Sequence, residues 1–148
     1  MALPVTDGGS AASAAAERAL VLADLSAFVA VRAYSHALLA ALDLTSRDLA
    51  SAERHCRECL SIATTFGLHS LAGQQYAQLA LAAIAQGDVD EGRRQLTVAF
   101  DPLHVGHHLL DVAFLLGHAA VLAAAEGRMA DATHARGVSD ALVARLGL

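Results

Sequence analysis

Small and apolar residues recur along this chain with a period of 40 residues, and so do the turn signals that separate them. Three segments align at that offset, namely Arg47-Asp48-Leu49, Gly87-Asp88-Val89 and Gly127-Arg128-Met129. The aligned positions before the turns are Leu39, Leu79 and Ala119, then Ala40, Ala80 and Ala120, then Leu44, Ile84 and Ala124. This pattern is typical of helical hairpins, each of which buries its apolar face against the next hairpin.

The pattern predicts about seven helices in one domain over residues 11–148, after a flexible stretch over residues 1–10. The first helix aligns with the second helix of a hairpin, so the stack starts in the middle of a unit. Gly67 is expected to stop the third helix, and Ser10, Thr45, Ser70 and Asp88 are the candidate N-caps. The predicted helices cover about residues 11–25, 26–44, 48–66, 70–86, 89–100, 105–126 and 129–145.

Composition supports an all-α class. Of the residues, 55% are hydrophobic and 4% are aromatic, and much of the excess is alanine, which is the best helix former. Asp24, Asp111 and His118 interrupt the richest apolar stretches, so none is long enough to cross a bilayer. The N-terminus does not resemble a secretion signal, and two cysteines do not make a disulfide framework. We therefore expect a cytoplasmic protein.

Charge argues against direct binding to nucleic acid. All ten basic residues are Arg, the net charge is -5, and no basic stripe is visible. Affinity for nucleic acid comes mainly from neutralising phosphates, which this distribution does not favour.

The stretch over residues 79–88, followed by Glu91, Leu96 and Ala99, resembles a tetratricopeptide hairpin, and residues 119–128 with Ala132 resemble a degenerate copy. The 40-residue period is longer than the common one. It is similar to the variant in the C-terminal helical region of MalT-type and LuxR-type bacterial transcriptional regulators. The resemblance implies a short right-handed solenoid that binds a protein, peptide or small effector, without a cofactor and without catalysis.

The resemblance also implies that an inner groove is lined by the first helix of each hairpin. Because the chain has no Lys or Asn, clamping of a peptide carboxylate is not expected, and an amphipathic helix or an apolar effector fits better. Tyr34 and Phe114 would instead fill the core under a plain packing interpretation. The candidate groove residues are Tyr34, Leu38, Gln74, Gln78, Leu81, Phe114, His118 and Val121.

Two motifs invite a metal interpretation. If Pro102 starts a helix, His104, His108 and Asp111 lie on one face with a spacing that can hold a divalent ion. A solvated, His-rich connector is the preferred interpretation. Cys56 and Cys59 form a Cys-x-x-Cys pair, but their aligned positions are apolar in the next hairpin, so we expect buried packing and no metal.

Two classes of function remain open at this stage. The first is an interaction scaffold in bacterial transcription regulation, with ends that show no polar cap and favour a homo-oligomer or a segment of a larger regulator. The second is a small helical enzyme or metal-binding protein acting on an apolar ligand, with His104, His108, Asp111 and His118 as candidates. Asp24 and Asp43 interrupt apolar runs, but the sequence identifies no catalytic partner for either.

Overall fold

The computed structural model describes residues 8–26, 28–105 and 109–147, without the side chains of Ser26 and of residues 102–105. Within those ranges the chain forms seven helices and no strand, so the all-α class and the number of helices are confirmed. The helices are α1 (Gly8–Ser26), α2 (Val29–Ser46), α3 (Leu49–Thr65), α4 (His69–Ala85), α5 (Val89–Val105), α6 (Leu109–Ala125) and α7 (Met129–Arg145). The expected flexibility of residues 1–10 falls mostly outside the described residues, and Gly8 already belongs to α1.

The helices stack as hairpins in chain order. Every helix packs against the next one, and α4 also packs against α2 and α6. We call α2, α4 and α6 the A helices, because each begins a hairpin, and α1, α3, α5 and α7 the B helices. The A helices therefore form a continuous layer, and no B helix touches another B helix in the described part of the chain.

The turn between an A helix and its B helix has the same backbone in all three hairpins. Arg47, Gly87 and Gly127 are 40 residues apart and all adopt positive φ, at 64°, 89° and 77°. The residue that follows each of them donates a backbone hydrogen bond to the carbonyl five positions earlier, which satisfies a helix-end acceptor. These bonds are Asp48 N to Asp43 O at 2.9 Å, Asp88 N to Ala83 O at 2.9 Å, and Arg128 N to Ala123 O at 2.8 Å.

The predicted caps have mixed outcomes. Asp88 accepts a hydrogen bond from the backbone N–H of Glu91 at 2.9 Å, so it caps α5 as expected. Asp48 caps α3 in the same way. Ser10, Thr45 and Ser70 lie inside helices, so their assignment as caps was wrong.

The largest departure from expectation concerns α5. The helix was expected to end at Phe100 because Pro102 cannot donate a backbone hydrogen bond, yet it continues to Val105. Pro102 lies only one turn before the end of α5, so the missing backbone hydrogen bond affects only that end of the helix. Before Pro102, Leu96 and Ala99 of α5 pack against residues of α4 and α6.

The apolar core consists of small residues at the helix contacts and larger ones between them. A first cluster lies between α2, α3 and α4, and a second lies between α4, α5 and α6. The first contains Ala33, Cys59, Ile62, Ala63, Leu71 and Ala72. The second contains Ala77, Ala80, Leu96, Ala99 and Leu122. Each A helix after α2 thus fills the groove of the preceding hairpin.

At Gly92 of α5 the neighbouring helix α4 approaches closely. A Cβ added there would lie 2.6 Å from Ile84 Cγ1 and 3.2 Å from the carbonyl oxygen of Ala80. The aligned positions in the other two hairpins are Ala52 and Ala132, which do carry a Cβ. At Gly92 the side chain of Ile84 and the backbone of Ala80 therefore leave no room for a Cβ.

We expect Gly92→Ala to destabilise the protein by roughly 1–3 kcal/mol, because the new methyl group overpacks the α4–α5 contact. The matched control is Gly137→Ala, where a Cβ meets nothing within 4 Å. That change should stabilise the protein by about 0.5–1 kcal/mol through helix propensity alone. Urea unfolding followed by circular dichroism measures both, and equal effects of the two changes would contradict the close contact.

Candidate functional site

A cleft of about 460 Å³ lies between α6 and α7, with Leu81 of α4 at its side. Its walls are mainly apolar, and polar groups lie around them. Such a combination is the usual chemistry of a small-ligand or peptide site. The apolar lining includes Leu81, Leu110, Phe114, Val121 and Val143, and the polar lining includes His118, Arg136, Ser139 and Asp140.

The polar groups of the cleft are held in place by contacts within the chain. His118 donates through Nδ1 to the carbonyl oxygen of Phe114 at 2.8 Å, so its Nε2 atom is left as an acceptor. Burial lowers the pKa of His118, which keeps the ring neutral at pH 7. Arg136 Nε donates to Asp140 Oδ1 at 2.9 Å. The cleft therefore offers an acceptor, an exposed guanidinium and an exposed carboxylate.

The cleft has the position of a groove that, in each of the two earlier hairpins, is filled by the following helix. The positions aligned with Arg136 are Cys56 and Leu96, which are both buried, because α4 covers the first groove and α6 covers the second. Arg136 itself is exposed, since the described chain has no A helix after α7.

The eight candidate groove residues do not form a single site. Leu81, Phe114, His118 and Val121 surround the cleft together. Tyr34 and Leu38 are exposed on α2, away from it. Gln74 and Gln78 make contacts between helices, with Asp111 and Cys56 respectively.

Asp111 is used in helix packing. Its carboxylate is 4% exposed and accepts from Ser70 Oγ at 3.0 Å and 2.9 Å and from Gln74 Nε2 at 3.4 Å. These contacts join α4 to α6. Ser70 is therefore a partner of a buried carboxylate, a role that its position in the sequence did not suggest.

The structure does not have the geometry that the metal-binding hypothesis assumed. His104 belongs to α5 and Asp111 belongs to α6, so they do not share one helix face. The side chain of His104, and all of His108, lie outside the described residues. Among residues that are described, no group of three or more His, Cys, Asp or Glu side chains is arranged to hold a metal ion.

A second polar group lies between α2 and α3, and we call it the histidine cluster: His36, Asp43, Arg54 and His55. The Nδ1 atoms of His36 and His55 are 2.9 Å apart, and both rings are buried. Arg54 lies 3.2 Å from His55 Nε2, and because arginine can only donate, Nε2 must accept. The proton of His55 is then on Nδ1, and this atom donates to His36.

Burial is the main cause of the pKa shifts in this cluster. It lowers the pKa of His36 and of His55 below the ordinary value of 6.5, and it raises the pKa of Asp43 above 3.8. The His36 ring is further disfavoured as a cation by His55, and the His55 ring by Arg54. Asp43 Oδ2 is 3.8 Å from His55 Nε2 and has no hydrogen-bond partner. Both histidines are thus neutral in the folded protein at pH 7.

Sequence reasoning missed the histidine cluster and the buried Gln75. His36 and His55 align with Tyr76 and Gln95 of the next hairpin, so no apolar column marked them as buried. Gln75 is 0% exposed, and neither amide atom has a hydrogen-bond partner. The available signal was a polar residue inside a strongly apolar helix, which Asp43 and Gln75 both provide.

Comparison with known proteins gives no match, whether with profiles of protein families, with curated proteins or with solved structures. In residues 8–26, 28–105 and 109–147, none of the helices has the length and apolarity needed to span a membrane.

We expect Cys56 and Cys59 to be unreactive in the folded protein. Both thiols are buried, and burial raises the pKa of each to about 12, so the reactive thiolate is scarce at pH 8. Titration with dithionitrobenzoate should detect no fast thiol in buffer and two in denaturant. A fast thiol in the folded state would contradict their place in the core.

We expect the free energy of unfolding to fall as the pH is lowered through the range below 6.5. The unfolded chain binds protons at its histidines near pH 6.5, whereas the folded chain binds them only at lower pH, so acid favours unfolding. His36→Asn should make this dependence shallower, and His134→Asn, at an exposed position on α7, serves as the control. Urea titrations at several pH values would show the difference, and identical slopes for the two variants would count against the cluster.

Proposed function

We propose that the chain is a binding scaffold of a bacterial transcriptional regulatory system, acting in the cytoplasm. Its ligand is a protein segment, a peptide or an apolar small molecule bound in the cleft between α6 and α7. The observation that carries this proposal is the cleft itself, which joins apolar walls from three helices to a few fixed polar groups.

The repeat explains why this groove is suited to an apolar ligand. In the first two hairpins the same groove receives a helix. Leu79 of α4 reaches the buried Cys56 in the first groove, and Leu122 of α6 reaches the buried Leu96 in the second. A groove with this shape accepts a helix or a body of similar width. The exposed Arg136 distinguishes the third groove, because it favours a ligand with a carboxylate or a hydrogen-bond acceptor at that point.

The regulatory assignment rests on the resemblance of residues 79–88 and 119–128 to tetratricopeptide hairpins of bacterial regulators. A scaffold of this kind acts by binding, and its net charge of -5 makes a protein or effector a better partner than nucleic acid. We therefore place the chain on the protein-binding side of such a system and not on its DNA-binding side.

We expect an apolar probe to bind in the cleft and Val121→Glu to weaken that binding by roughly tenfold or more, because a carboxylate would be desolvated against the probe. The probe is N-phenyl-1-naphthylamine, and methyl NMR of labelled Val and Leu residues reports where it binds. Val112→Glu is the matched control, since Val112 and Val121 are 43% and 41% exposed on the same helix and only Val121 lines the cleft.

Shifts confined to the methyl groups of Leu81, Leu110, Val121 and Val143 would support the site. Shifts elsewhere, or equal losses in the two variants, would contradict it. Chromosomal Val121→Glu and Val112→Glu strains test the regulatory role by RNA sequencing. Only the first should change the expression of a defined set of genes, and the absence of any difference would contradict a role of the cleft in transcription.

A further inference from the structure

The polar residues of the cleft between α6 and α7 form two pairs that differ in exposure. Ser139 is buried and His118 is partly buried, and we call these two residues the inner pair. Arg136 and Asp140 are exposed and are already joined by an ion pair. The inner pair therefore determines which polar group a ligand can bury in the cleft.

His118 can only accept a hydrogen bond from a ligand. Its Nδ1 atom lies 2.8 Å from the carbonyl oxygen of Phe114, and because a carbonyl only accepts, Nδ1 carries the proton of the neutral ring. The Nε2 atom then has a lone pair. In the described part of the chain this atom has no hydrogen-bond partner.

Ser139 is limited to accepting as well. Its hydroxyl group donates to the carbonyl oxygen of Ala113 at 2.8 Å, which uses its only hydrogen, while its oxygen can still accept. Gly117 of α6 has no side chain to cover that oxygen, and a Cβ added there would lie 3.6 Å from Ser139 Oγ. Neither member of the inner pair therefore offers a donor to the cleft.

The 40-residue repeat shows that this arrangement is particular to the third hairpin. The residues aligned with Ser139 are Cys59 and Ala99, which are both 0% exposed and belong to the apolar clusters. The residues aligned with Gly117 are both alanine. Packing alone is satisfied by an apolar side chain at the position of Ser139, as the first two hairpins show.

A wall without donors selects among apolar ligands. A carboxylate, carbonyl or ether oxygen placed against the inner pair would be buried without a hydrogen-bond partner, which costs binding free energy. An O–H or N–H group would instead donate to His118 Nε2, on the more exposed member of the pair. The ring of Phe114 lies beside that of His118, with centroids 4.2 Å apart, and both rings line the cleft. Such a surface suits an aromatic ligand.

We propose that the ligand of this cleft is a small aromatic molecule with an O–H or N–H group that donates a hydrogen bond to Nε2 of His118. This inference rests on the function proposed above and narrows it to one class of ligand. The cleft volume of about 460 Å³ is in the range of small-molecule sites. An anionic group on the ligand would face outward, towards Arg136.

Three probes that share one ring system test the proposal. 1-Naphthol can donate a hydrogen bond, 1-methoxynaphthalene can only accept one, and naphthalene does neither. 1-Naphthol should bind about three- to tenfold more tightly than each of the others, which is the effect of one net hydrogen bond. Isothermal titration calorimetry gives the dissociation constants, and methyl NMR of Leu81, Val121 and Val143 reports binding in the cleft.

The possible failures are distinguishable. If the three probes bind in the cleft with equal affinity, or if either of the other two binds as tightly as 1-naphthol, only the present proposal is overturned. If none of them binds in the cleft, the cleft itself is contradicted as a ligand site, and the proposed function fails with it.

Replacement of His118 should remove the preference for the donor. In His118→Leu the affinities for 1-naphthol and 1-methoxynaphthalene should agree to within about twofold. His134→Leu is the matched control, because His134 is exposed on α7 and does not line the cleft. A preference that persists in His118→Leu, or that His134→Leu also removes, would contradict the role of Nε2.

The ring nitrogens of His118 give a measurement on the unchanged protein, which remains decisive if His118→Leu fails to fold. At pH 7, long-range nitrogen–proton correlation NMR should show a proton on Nδ1 and none on Nε2. Bound 1-naphthol should shift the Nε2 signal, and bound 1-methoxynaphthalene should not. A proton on Nε2 in the free protein, or the same response to both probes, would overturn the proposal.

Discussion

A helical hairpin of this chain can bury its apolar face only against another hairpin, and the rest of the structure depends on that constraint. The contact requires close approach, which Ala33, Ala77 and Cys59 permit because their side chains are small and fully buried. It also requires that each turn deliver its B helix at the same angle, which the positive-φ residue at 40-residue intervals achieves. Gly92 is the limiting case, where even a methyl group is too large.

The same constraint explains which surfaces of the stack stay open. A groove that receives a helix becomes core, as the first two grooves do. A groove or face that receives no helix stays open, and its side chains then determine what can bind there. The third groove carries the exposed ion pair of Arg136 and Asp140, whereas α2 exposes the apolar Val31 and Leu38. Polar contacts inside the stack, such as Asp111 with Ser70, fix which helices pair.

The repeat made most of the fold predictable from sequence. Small and apolar columns located six of the seven helices to within a few residues, and Asp88 was recognised as a cap because its side chain is short and acidic. The end of α5 was not predictable in this way, because Pro102 was expected to end the preceding helix, whereas α5 continues past it to Val105. The assumed face of His104, His108 and Asp111 failed for the same reason, since it depended on a helix starting at Pro102.

Only part of the candidate site could be predicted from the sequence. Alignment of columns put Leu81 of α4 in one candidate set with Phe114, His118 and Val121 of α6, and all four line the cleft. It could not separate them from Tyr34 and Leu38, which are exposed on α2 and do not line the cleft. The pairing of His36 with His55 depends on side chains that meet across two helices, and no spacing along the chain reveals it.

The central claim is that one packing arrangement recurs every 40 residues, and methyl–methyl nuclear Overhauser effects test it most directly. Contacts of Ala40 with Leu79, in the first groove, and of Ala80 with Ala119, in the second, are related by that offset and should both be strong, because each pair shares an apolar cluster. Strong effects in both grooves would establish the recurring contact. The absence of either one, or strong contacts between α3 and α5 instead, would contradict it.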